Sequence, residues 1–174
     1  MRRLLLVACL GACLARPVGA QTCSTPNGVA NGSCSVNVAS SLTIPTLLRL
    51  TIDDTSTALT TPTEAIYDAG TTVSTGPVAT IKTNGSWTVL VRATAATWTA
   101  SGAGARTNKP VGDLAWGKLV GGPFIPMTTT NATVATGTRG ASNVTSMFYQ
   151  VAWSWPNDTP GTYTITVVFT ATSP

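Results

Sequence analysis

The segment Thr162–Thr172, TYTITVVFTAT, alternates by residue: Tyr163, Ile165, Val167, Phe169 and Ala171 share one parity, and Thr162, Thr164, Thr166, Val168 and Thr170 the other. Strand side chains repeat every two residues, so five apolar groups fall on one face and four hydroxyls among five on the other. That is a half-buried antiparallel strand, one face on a core and one in water. A slip of one residue would expose the whole apolar set, so the register is expected to be firmly set.

The same alternation recurs upstream. Val144–Trp155 places Met147, Tyr149, Val151, Trp153 and Trp155 in phase, and Pro156–Gly161 turns the chain towards the last strand. Trp153 and Trp155 are expected to share one fate, and burial is favoured. Val78–Thr83 and Ser86–Ala93 flank Asn84-Gly85, the dipeptide of a two-residue hairpin turn. In the second run Trp87, Val89 and Val91 are expected to face the core, opposite Thr88, Leu90 and Arg92. Ser35–Ser40 and Leu42–Ile52 are further expected strands. Pro45 marks the second as an edge, a bulge or two short pieces. Asp53–Pro77 reads as a long connection carrying one short strand, and Ala100–Pro110 as a loop. Asp113–Val120 reads as a strand ended by Gly121-Gly122-Pro123, and Thr128–Asn143 as a loop or solvent-facing ribbon. With few helix signals and abundant threonine and valine, the expected fold is all-β, an antiparallel Ig-like β-sandwich.

The chain opens MRRLLLVACLGACLARPVGA, an order of charged, apolar and small residues that matches a secretory leader. Its apolar run is too short to span a membrane. Cleavage is expected after Ala20, giving a leader over residues 1–20 and a single domain over residues 21–174. Leu10-Gly11-Ala12-Cys13 is the alternative, a lipobox with Cys13 as the lipidated terminus. Loss of Arg2, Arg3 and Arg16 leaves seven basic side chains against six acidic ones. Such a balance gives no electrostatic case for nucleic acid or anionic lipid. Cys23 and Cys34, an even pair around a Pro/Asn/Gly/Ser-rich loop in an exported chain, are expected to form a disulfide.

Catalytic chemistry finds little to work with. The chain has no histidine, which removes Ser-His-Asp and Cys-His mechanisms. Lys82, Lys109 and Lys118 sit in no recognisable motif. The six carboxylates are Asp53, Asp54, Glu64, Asp68, Asp113 and Asp158, and Asp53-Asp54 reads as a turn rather than a facing pair. Asp158 reads as the cap of the turn at Thr159-Pro160-Gly161. No enzyme activity, metal or cofactor is expected. Among the five tryptophans, a core role competes with an exposed stacking platform for sugar rings. Trp98, beside the Ala100–Pro110 loop, is the best candidate for exposure, with Trp87 the second binding candidate. Five Asn-x-Ser/Thr triplets, among them Asn84-Gly-Ser, are explained by turn preference in a chain rich in these residues.

Two stretches, Trp87-Thr88-Val89 and Tyr163–Pro174, resemble the paired signatures of the bacterial WxL domain. Those signatures are a Trp-x-Leu motif, and a terminal Tyr-rich strand running to Leu-Thr-Trp-x-Leu and a final proline. Val89 stands here for the first leucine, and Phe169 and Ala171 for the second tryptophan and leucine, while Tyr163 and Pro174 keep their places. The resemblance implies an exported β-rich protein attached non-covalently to the cell wall, with cell-wall polysaccharide or other surface proteins as partners. The expected function is therefore a non-enzymatic surface or envelope module, structural or adhesive. The alternatives are a pilin-like fibre subunit assembled by β-strand addition, or a carbohydrate-binding module. The disulfide loop argues against a long free N-terminal strand to donate.

Overall fold

Ten strands, all paired antiparallel, carry the fold in the computed structural model, which describes residues 23–24 and 32–174. They all lie within Ile44–Pro174, one compact unit; the described residues up to Thr43 belong to a second. In that second unit the sulfurs of Cys23 and Cys34 are within bonding distance and their Cα atoms are 5.8 Å apart. The leader, its cleavage point and Cys13 lie outside the described residues.

The first sheet runs β1 (Leu48–Ile52), β2 (Thr71–Thr83), β8 (Gly140–Ala152), β5 (Leu114–Gly117), β6 (Ile125–Pro126). The second runs β10 (Val167–Thr172), β3 (Trp87–Ala93), β7 (Ala132–Gly137), and a small ribbon joins β4 (Thr99–Ser101) to β9 (Thr162–Thr164). The fold is an all-β sandwich, with the core where alternating faces meet: Ile81, Val89, Val91, Leu114, Met127, Met147 and Val151 are almost wholly removed from water. On β3 the expected phase holds, since Trp87, Val89, Val91 and Ala93 are buried and the residues between them are half-exposed.

Four sequence expectations change. First, Asn84-Gly85 is not a hairpin turn. β2 pairs with β1 and β8 while β3 pairs with β10 and β7, so the dipeptide carries the chain from one sheet to the other. Asn84 is held instead by its side chain: Oδ1 accepts from the Leu47 N–H at 2.8 Å and Nδ2 donates to the Pro45 carbonyl at 2.9 Å. Second, Asp53–Pro77 contains a helix, α1 (Glu64–Ala69), and the first half of β2. α1 ends at Gly70 with φ +73°, a left-handed cap that glycine adopts without strain. β2 passes through Gly76-Pro77 because its register with β8 shifts between Thr75 and Val78, a bulge that accommodates a residue with no N–H.

Third, the expected Thr162–Thr172 strand divides into β9 and β10, which pair with different partners, β4 and β3. Fourth, residues 32–47 contain no strand, and the expected strands at Ser35–Ser40 and from Leu42 reduce to β1. Pro45 removes a donor from any ladder there. The expected loop-or-ribbon at Thr128–Asn143 is a ribbon in its second half, where β7 and the start of β8 lie.

Candidate binding cleft

The sandwich is not filled to its edge. A cleft of about 830 Å³ opens where the two sheets part. Its floor is Leu114, Tyr149 and Val151 from β5 and β8, with Trp98 beside them. One wall is the continuation from β9 into β10, which presents Ile165, Val167 and Phe169, and the other is the strand-free segment Asp54–Pro62 following Ile52. Inward-pointing residues of the terminal strand are therefore half-exposed rather than buried. The cleft opens to solvent and joins apolar side chains of the core to hydroxyls of Thr57, Thr60, Thr164 and Thr166, the mix of apolar surface and a few polar groups typical of a binding site.

The β10 edge borders the hollow through Val167 and Phe169, and β1 reaches it at Ile52. β10 ends its sheet and pairs only with β3, and β1 ends the other sheet and pairs only with β2. Each presents one row of backbone groups without a ladder partner. The wall at Asp54–Pro62 approaches through side chains: the Thr60 N–H donates to Ser74 Oγ at 3.0 Å, and Leu59 packs on the core. Asp53 Oδ1 accepts from the Val78 N–H at 2.7 Å and so ties this segment to the bulge. Asp54 Oδ1 accepts from the Ser56 N–H at 2.9 Å, a local turn.

One end of the cleft is closed by an ion cluster that sequence reasoning missed. Lys109 is buried, and its ammonium donates to Asp158 Oδ1 at 2.7 Å, Asp113 Oδ2 at 3.1 Å and the Ala152 carbonyl at 3.2 Å. Arg106 stands 3.5 Å from Asp158 and 4.0 Å from Asp113. Two cations thus face two carboxylates, and all three ammonium protons of Lys109 have acceptors. Asp158 is expected from the sequence to cap the turn after it, but its carboxylate is engaged elsewhere: Oδ1 accepts from Lys109, and Oδ2 accepts from the Ser154 N–H behind it at 2.8 Å. Tyr67 donates to the Asp158 carbonyl at 3.2 Å, and its phenol is held above its ordinary pKa by burial and by the neighbouring Asp158 charge. The i, i+4 spacing of Lys109 and Asp113 was the one available signal, and the partner that matters most is 49 residues away.

The tryptophans divide differently from expectation. Trp98 is only 4 % exposed, with its indole N–H donated to the Pro110 carbonyl at 3.1 Å, so it forms no surface platform. Trp87 is likewise buried and donates to the Thr138 carbonyl at 2.9 Å. Trp153 and Trp155 do not share a fate, because β8 ends at Ala152 and the alternation ends with it. Trp153 is half-buried, under the Lys109 ammonium at 5.1 Å from its ring centre. Trp155 is 58 % exposed; it stacks on Tyr67 at 4.6 Å between ring centres and donates to Asp68 Oδ1 at 3.0 Å.

The stretches that carry the WxL resemblance lie side by side, with Phe169 opposite Val91 and Ala171 opposite Val89 across the β10–β3 ladder. Tyr163 lies apart on β9, where its hydroxyl donates to the Thr159 carbonyl at 2.6 Å and accepts from the Arg106 N–H at 3.0 Å. Compared with protein-family models and with curated proteins, the sequence matches none.

Proposed function

We propose that the chain is an exported, non-enzymatic surface or envelope module whose working surface is the open cleft, and that it binds an extended apolar strand from a partner chain. The observation that carries this reading is the pairing of an open, largely apolar hollow with the unpaired β10 edge at its rim. Strand addition uses both features at once: an edge supplies main-chain hydrogen bonds, and the hollow takes every second side chain. Export rests on the N-terminal leader pattern.

The test is titration of the folded chain with ten-residue peptides that alternate valine and threonine, read by tryptophan fluorescence because Trp98 and Trp153 line the cleft. A saturable change is expected, absent with a blocked peptide of the same composition and lost in Ile165→Asp. No binding by any alternating peptide to a chain with native circular dichroism would remove the reading.

A second reading is favoured by the exposed Trp155 ring on Tyr67, beside the Asp68 carboxylate, the arrangement on which a sugar ring stacks. It expects co-sedimentation with protein-free cell walls that Trp155→Ala abolishes and Ile165→Asp leaves intact. Retention of wall binding by Trp155→Ala would discard it.

A further inference from the structure

We infer that the strand this cleft accepts is the segment Val36–Ile44 of a second copy of the chain, so that copies join head to tail. The inference rests on the strand-binding reading above and names its partner.

The segment SVNVASSLTIP carries Val36, Val38, Leu42 and Ile44 on one parity, with Ser40 between them, and mostly polar residues on the other. This is the alternation of a half-buried strand. Yet no ladder includes these residues, and their apolar side chains are exposed: Val36 44 %, Val38 83 %, Leu42 84 % and Ile44 70 %. A strand pattern outside any ladder is an unmet requirement for a sheet edge and an apolar surface. The cleft is the complementary unmet requirement. Its wall presents Ile165, Val167 and Phe169 at the same two-residue spacing, on a chain whose outer edge at β10 is free.

Dimensions agree. Nine residues of extended chain span about 30 Å, enough to run the length of β10 and beyond it. Ile44 is followed by Pro45–Leu47, which Asn84 holds by two side-chain hydrogen bonds and by its own N–H to the Leu47 carbonyl at 3.3 Å. The donor is thereby anchored at its C-terminal end, and Cys23–Cys34 closes a loop two residues before Val36. The disulfide does not remove the free strand; it lies upstream of it. Donor and acceptor surfaces differ, so the contact is heterologous, and a heterologous contact that does not close into a ring propagates as a filament.

The experiment uses the full chain, produced with its N-terminal segment in an exporting host, and follows mass against concentration by sizing with light scattering. Polymers are expected for the unaltered chain, and monomers for Val38→Asp/Leu42→Asp, whose cleft remains whole. A peptide of residues 35–45 should bind that monomer saturably and should cap the polymers of the unaltered chain. The inference is overturned if the unaltered chain stays monomeric at all concentrations, or if the peptide fails to bind the monomer. It is also overturned if residues 36–44 are protected from hydrogen exchange in a monomer, which would mean that the strand closes its own sandwich. Alternating valine–threonine peptides separate the two levels: if they bind where the 35–45 peptide does not, self-donation fails and the strand-binding cleft stands. If neither binds, both fail.

Discussion

Trp87 packs its ring over Gly137, its register partner on β7, so closely that a Cβ there would lie 2.6–2.8 Å from ring atoms. Only glycine fits, and the contact is part of what buries Trp87 in the core. Tyr149 shows a different consequence of burial. Loss of water raises its phenol to about 12 from an ordinary value near 10. A phenol that is harder to ionise when folded contributes fully to stability below pH 10. That contribution is lost as pH rises towards 12, because the unfolded chain gives up its proton first. Urea unfolding at rising pH should therefore show a decline between about pH 10 and 12, with a slope approaching about 1.4 kcal/mol per pH unit from this group. Tyr149→Phe keeps the volume and should remove that component of the slope; an unchanged slope would mean the phenol titrates normally. Parity placed Trp87 and Tyr149 on their buried faces in the sequence. It misjudged Trp155, which lies three residues past the end of β8, and the place of Trp98 beside a loop misled separately, because Lys109 and Pro110 from the far end of that loop enclose it.

At the level of elements, the ion cluster joins the segment before β5 to the turn after β8. Lys109 is bonded to the Trp98 N–H through its carbonyl at 2.9 Å and to Asp158 through its ammonium, so one residue fixes both sides. Removing one member of a buried pair strands the other without compensation, at a cost of about 3–5 kcal/mol. Asp158→Ala should lower the unfolding free energy by that order. Adding Lys109→Met should cost less than the sum of the single changes, with a coupling of about 0.5–3 kcal/mol in a double-mutant cycle read by urea denaturation. Strict additivity would mean that the two side chains do not interact. Neither residue stood out in the sequence, since a lone lysine in a Gly/Ala/Ser loop and an aspartate before Thr-Pro-Gly each have an ordinary turn explanation. The helix α1 had legible signals in Thr63, Glu64 and Gly70, but six residues are too few for periodicity to outweigh the threonine-rich surroundings. The Asn84-Gly85 signal was strong and misleading. Gly85 does not take the positive φ that a tight primed turn requires, and the asparagine side chain is spent on Pro45 and Leu47.

For the whole molecule, the sheets decide which of several alternating segments is buried. β10 pairs with β3 and β2 with β8, partners separated by about as much chain as lies between Thr71 and Ala152. No local pattern encodes those pairings, because alternation tells a strand which face is apolar and says nothing of which strand will cover it. By itself the sequence determined that the chain is β-rich, which faces of β3, β8 and the terminal strand are apolar, and that histidine-based chemistry is absent. These follow from side-chain identity and a two-residue period, both local. Tertiary structure alone decided that β2 and β3 belong to different sheets, that Lys109 and Asp158 meet, and that the terminal strand borders an open cleft. It also left Val36–Ile44 outside every ladder. Each of these depends on segments distant in the chain coming together, and that proximity is set by how a limited apolar surface is shared among competing strands.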